Sequence, residues 1–142
     1  MFKVLLVFGT RPEVIKMAPL VKEFRKYTEQ IECKVCITGQ HRQMIDPLLK
    51  LFNIKVDYDF NIMIEKQTLE HITASVLHEI GKIIEKEKFD YLFVQGDTTT
   101  AMAAALAGFY KNVKIAHVEA GLRTWINNIL FRKKLTAELL TV

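Results

Sequence analysis

The chain has 142 residues, half of them hydrophobic and a quarter charged, with a net charge of +4. That is enough chain for one domain with a real core, and the balance excludes disordered and fibrous classes. Its apolar runs fall well short of the roughly 20 residues a bilayer span needs, and the Lys and Arg residues are spread along the chain as on solvated helix faces rather than gathered into a nucleic-acid footprint.

Residues 3–8 (KVLLVF) form a continuous apolar run rich in Val and Leu, as in a parallel strand covered on both faces. The run is too short for a signal h-region and lacks a cleavage site, so it reads as the buried first strand of a cytoplasmic protein. Gly9, Thr10, Arg11, Pro12 and Glu13 then break it. Thr10 can cap a helix, and Pro12 and Glu13 suit its first turn. Val14, Ile15, Met17, Ala18, Val21 and Phe24 follow at helical spacing, with Pro19 inside the pattern as a source of kinking.

Residues 34–38 are the second strand, closing at Gly39, Gln40 and His41. Cys33 and Cys36 share a C-x-x-C spacing, but on a strand residues three apart face opposite ways. They are therefore expected to be structural, neither bridged nor sharing a metal. Residues 42–52 carry Met44, Ile45, Leu48, Leu49 and Phe52 on one helical face, with Pro47 in an early turn. Residues 56–63 read as a short strand or extended loop. The longest helix spans 68–86, with Leu69, Ile72, Val76, Leu77, Ile80, Ile83 and Ile84 at 3.6-residue spacing and a charged opposite face. Residues 91–94 are another strand, 98–110 an alanine-rich helix, and 113–118 a last strand. This alternation predicts an α/β domain: a doubly wound, Rossmann-like parallel sheet with right-handed crossovers.

Four polar turns follow strands and so converge on the edge where open α/β sheets bind ligands: 9–11, 39–41, 96–98 and 119–121. Asp97 and Glu119 place two carboxylates there. The first βα turn puts helix N–H groups next to Arg11, with Lys16 one turn on, which suits a phosphate or diphosphate. Asp97 reads equally well as a helix N-cap, and His41 and His117 as structural histidines. The turn lacks both G-x-G-x-x-G and the P-loop pattern, so NAD binding and ATP hydrolysis lose support. Residue chemistry alone reaches an α/β domain for a small anionic ligand, with carboxylate acid/base groups at hand.

The runs GTRPEVIKMAPL (9–20), TGQHRQM (38–44), DYDFNIM (57–63), QGDTTTAMAAALAGFY (95–110) and HVEAGLRT (117–124) resemble the bacterial non-hydrolysing UDP-N-acetylglucosamine 2-epimerases. The resemblance implies two Rossmann-like domains arranged as in glycosyltransferase-B enzymes, with residues 1–124 supplying most of the first. It implies interconversion of UDP-GlcNAc and UDP-ManNAc without redox cofactor or metal, by elimination and re-addition of UDP through 2-acetamidoglucal. Asp97 and Glu119 match two of the family's catalytic carboxylates, and Arg11 and Lys16 its substrate-side Arg and Lys. Gln40 and Gln43 match positions that contact a second, activating UDP-GlcNAc in some members, and Lys66 falls where those members carry an Arg. The resemblance also implies a homodimer in full-length members, and neither nucleic acid nor membrane as partner.

After Thr124 the resemblance breaks. The family continues into P-E-E-x-N-R, with a third carboxylate, whereas residues 125–142 read WINNILFRKKLTAELLTV. This segment is expected to be a divergent, helical one, with the second domain absent and the chain nearly inactive alone. The rival readings are a sugar-nucleotide-binding or dimerisation module without catalysis, and half of a related glycosyltransferase.

Overall fold

In a computed structural model of the chain, the described residues are 1–39, 42–62, 64 and 66–119. The expectation of a helical segment at 125–142 lies outside them. The element order is β1 (Phe2–Phe8), α1 (Arg11–Phe24), β2 (Ile31–Ile37), α2 (Arg42–Leu51), β3 (Tyr58–Asp59), α3 (Leu69–Lys86), β4 (Tyr91–Gln95), α4 (Thr99–Tyr110) and β5 (Lys114–Val118). Five parallel strands lie in the order β3-β2-β1-β4-β5. This is the doubly wound α/β fold that the alternation predicts.

β1 is the central strand, and its composition explains why. Val4 to Phe8 are all buried, with successive side chains entering different cores. Leu5 and Val7 join α3 and α4 on one face of the sheet, while Val4, Leu6 and Phe8 join α1 and α2 on the other. Both faces are dry, so neither set of side chains needs to be polar. Cys36 lies in the first core and Cys33 packs against the second, so the two free thiols face opposite sides as the strand periodicity predicts. Burial pushes the Cys33 thiol up to about 11 and Cys36 well above its usual range.

α4 presents Ala101, Ala103, Ala104, Ala105 and Ala107 as buried residues. Small side chains let this helix approach α3 and the sheet closely. α1 runs through Pro19, and α2 through Pro47. β3 is only two residues long, paired to Cys36 and Ile37. Its brevity fits the weak alternation of its sequence. Among the described residues no helix is long and apolar enough to cross a membrane.

The strand order reverses its direction of winding between the parallel strands β1 and β4. β1 feeds α1 on one face, and β4 feeds α4 on the other. Their carboxyl ends therefore diverge and leave a crevice, the usual ligand position in this fold.

Candidate active site

Three strand ends build the site. Gly9 and Thr10 leave β1, Gly96 and Asp97 leave β4, and Glu119 leaves β5. Gly9 is required by space: a Cβ there would stand 2.0 Å from Thr38 Oγ1 and 3.0 Å from Thr100 Oγ1. The two threonine hydroxyls lie 3.5 Å apart in the buried layer below the turn.

Thr10 is the N-cap of α1, and Glu13, at the third helical position, is 1% exposed. Glu13 Oε2 accepts the Gly9 and Thr10 amides, each at 2.7 Å. The amides of Gly9 and Thr10, which precede the helix, thus serve the chain's own carboxylate. Glu13 Oε1 accepts the Thr98 hydroxyl. Burial is the main reason its carboxyl is raised above the usual range, opposed by these donated hydrogen bonds.

At the β4 end, Gly96 has φ +69, which a glycine adopts without penalty. Its amide donates to Val118 O at 3.1 Å. His117 Nε2–H donates to Gly96 O at 2.7 Å, leaving a buried Nδ1 without a partner. The N-cap of α4 is Thr98, whose Oγ1 accepts the Ala101 amide at 3.1 Å. The capping alternative for Asp97 therefore falls away, because its neighbour performs that role. Asp97 is half-buried in the turn between strand and cap.

Glu119 accepts hydrogen bonds from Lys16 Nζ and from Gln95 Nε2. Lys16 comes from α1 and Gln95 from the end of β4, so the carboxylate draws on three separate elements. Glu119 has φ +60. An L-residue with a branched-free but full side chain adopts that conformation at a cost of roughly 1–2 kcal/mol, and such outliers concentrate at functional sites. Among the described non-glycine residues with positive φ, three are asparagines, which tolerate it; the others are Glu119 and Lys66.

Arg11 is exposed in the first turn of α1, with no ion-pair partner among the described residues. Gln43 and Lys66 are both exposed, on α2 and in the β3–α3 loop. Gln40 lies outside the described residues. Among those described, no three His, Cys, Asp or Glu side chains gather as a metal site. A shallow cavity of about 420 Å³ lies between Met1, Arg25, Ile31, Cys33, Lys55 and Asp57. It sits at the amino-terminal end of the strands, away from these groups, and has no part in the crevice chemistry.

Sequence reasoning placed Thr98 in a turn at the ligand edge but passed over Glu13 and Gln95 as site-building residues. For Glu13 a signal existed, since Thr10-x-x-Glu13 is a capping-box spacing. Its reach to Thr98 had none.

The sequence profile described as UDP-N-acetylglucosamine 2-epimerase matches residues 22–128. The chain belongs to that family. It is 54% identical over 143 residues to the UDP-N-acetylglucosamine 2-epimerase of Salmonella borreze, covering 98% of this chain and 38% of the relative. The Bacillus subtilis (strain 168) enzyme of the same name is 54% identical over 122 residues, covering 86% and 32%. Among solved structures, the chain is similar to UDP-GlcNAc 2-epimerase from Neisseria meningitidis bound to UDP-GlcNAc, with TM-score 0.91, 47% identity and coverage of 98% and 37%. It is also similar to the Methanocaldococcus jannaschii enzyme in complex with UDP-GlcNAc and UDP, with TM-score 0.85, 34% identity and coverage of 97% and 38%. The chain thus spans between 32% and 38% of these family members' length.

Proposed function

We propose that these residues form the acid/base half of a UDP-GlcNAc 2-epimerase site, in the N-terminal Rossmann-like domain (residues 1–124) of a two-domain, glycosyltransferase-B-like enzyme. The observation that carries this is the set around Glu119: a carboxylate in a strained backbone conformation, at the carboxyl end of β5, contacted by Lys16 and Gln95. A side chain held that way is placed for chemistry rather than for packing. Asp97 stands at the end of the adjacent strand β4.

Inversion at C2 of the sugar needs a proton removed from one face and delivered to the other. Two carboxylates on neighbouring strand ends suit that division of roles. The leaving diphosphate needs positive charge, which Arg11 and Lys16 supply at the first turn. The Lys16–Glu119 pair is partly exposed, with side chains at 42% and 32%, so a diphosphate can draw Lys16 away at small cost. That exchange would release the Glu119 carboxylate when substrate arrives. By the family resemblance, Gln40, Gln43 and Lys66 are assigned to a second, activating nucleotide-sugar contact.

The test uses the 142-residue chain with UDP and UDP-GlcNAc. Titration calorimetry is expected to show binding that Lys16→Met weakens at least tenfold. Turnover to UDP-ManNAc by these residues alone is expected to be at most a trace, because the facing wall of the cleft belongs to the relatives' remaining length and misplacement costs orders of magnitude. Rapid turnover abolished by Asp97→Asn would show that these residues carry the whole activity. Absence of any nucleotide binding would overturn the assignment of the crevice.

A further inference from the structure

We propose that Glu13 is a positioning residue that clasps the β1–α1 turn to the β4–α4 turn, setting the Arg11 turn against the Asp97 turn across the reversal point of the sheet. This rests on the reading above only for what the two turns carry. The clasp itself rests on geometry.

Glu13 begins on α1, which packs on one face of the sheet, and meets Thr98, the cap of α4 on the other face. The two residues are 85 apart in sequence. β1 and β4 are adjacent strands, but their following turns leave in opposite directions. Without a tie, the spacing of those turns would depend on strand register alone. Glu13 supplies the tie with both oxygens: Oε2 holds the Gly9 and Thr10 amides, and Oε1 holds the Thr98 hydroxyl.

The polarity of each contact specifies a carboxylate. The Gly9 and Thr10 amides can only donate. The Thr98 oxygen already accepts the Ala101 amide, and its hydrogen is directed to Glu13. A carboxylate offers two acceptor oxygens to these three donors, whereas an amide offers one. Gln at this position keeps the shape but must turn either its NH₂ on an amide or its NH₂ on Thr98, forcing the hydroxyl hydrogen elsewhere. A simple helix cap would need only the Gly9 and Thr10 contacts. The third contact is what reaches the catalytic turn.

The experiment compares amide proton–nitrogen spectra of the 142-residue chain in wild type, Glu13→Gln, Thr98→Val and Thr98→Ser. Glu13→Gln is expected to shift the Gly96, Asp97 and Thr98 amides as well as those of Gly9 and Thr10. Thr98→Val, which removes the same contact from the other side, is expected to shift Gly9 and Thr10. Thr98→Ser, which keeps the hydroxyl, is expected to leave Gly9 and Thr10 at their wild-type positions. UDP affinity should fall about tenfold in both disruptive variants, with the double variant no worse than either single one. If Glu13→Gln disturbs only its own turn and Thr98→Val only residues around α4, Glu13 is a cap of α1 and the clasp is refuted. If Glu13→Gln does not fold, the Thr98 pair still decides. A wild-type chain that binds no UDP overturns the sugar-nucleotide reading, while the reciprocal amide shifts continue to test the clasp.

Discussion

Replacing Gly9 by alanine adds one methyl group at the most crowded point of the crevice floor. The new Cβ would lie 2.0 Å from Thr38 Oγ1, well inside van der Waals contact, and 3.0 Å from Thr100 Oγ1. Thr38 and Thr100 are both fully buried. Thr38 would have to rotate, which separates its hydroxyl from that of Thr100 and moves a polar group in a dry layer. Overpacking of this kind costs about 1–3 kcal/mol. The expected loss is therefore about 1–3 kcal/mol, a sizeable share of the roughly 5–15 kcal/mol that stabilises typical domains. Urea denaturation followed by circular dichroism measures it. The companion variant Thr38→Ala removes the clashing oxygen, so Gly9→Ala should cost at least about 1 kcal/mol less in that background. Gly9→Ala within about 0.5 kcal/mol of wild type, a typical surface effect, would refute the close approach. Equal costs in both backgrounds would show that Thr38 is not the obstacle.

The Lys16–Glu119 pair is partly exposed, so Lys16→Met should change stability by less than about 1 kcal/mol while weakening UDP binding; a large fall in melting temperature would contradict the assignment of Lys16 to ligand rather than fold. Burial raises the Glu13 carboxyl above its usual range against the opposing pull of its donated hydrogen bonds, so the folded chain holds this proton more tightly than the unfolded chain does. That contribution to stability is full below the unfolded value of about 4.3 and is lost as pH rises through the folded one. The stability deficit of Glu13→Gln against wild type should accordingly narrow as pH is raised from about 4 to about 7, and a widening deficit in urea titrations would reverse the sign of the burial effect. Thr98→Ala removes the cap of α4 and one Glu13 partner, and should cost about 1–2 kcal/mol. With its thiol raised to about 11, Cys33 should alkylate about a hundredfold more slowly than an unperturbed thiol near neutral pH; iodoacetamide labelling followed by mass spectrometry checks this.

Most of the fold was legible because it follows from local chemistry. The 3.6-residue pattern of Ile72, Val76, Ile80 and Ile83 marks α3 wherever that helix packs. Val4 to Phe8 announce a strand buried on both faces, and the alternation places Cys33 and Cys36 apart. The turns holding Arg11, Asp97 and Glu119 could be assigned to one edge because parallel strands share a direction. The hold of Glu13 on the Gly9 and Thr10 amides carried only the signal of a capping-box spacing.

By itself, the sequence determined which segments are helix and strand, that the sheet is parallel, and which edge gathers the polar turns, since these depend on periodicity and on glycine, proline and cap residues near one another in the chain. Only the tertiary structure decided the order β3-β2-β1-β4-β5, the contact of Lys16 with Glu119 and that of Glu13 with Thr98. Those contacts join residues 103 and 85 positions apart. No local preference encodes them. They exist because packing two helical layers on one sheet brings distant turns together at its carboxyl edge, where buried donors and acceptors must then find one another.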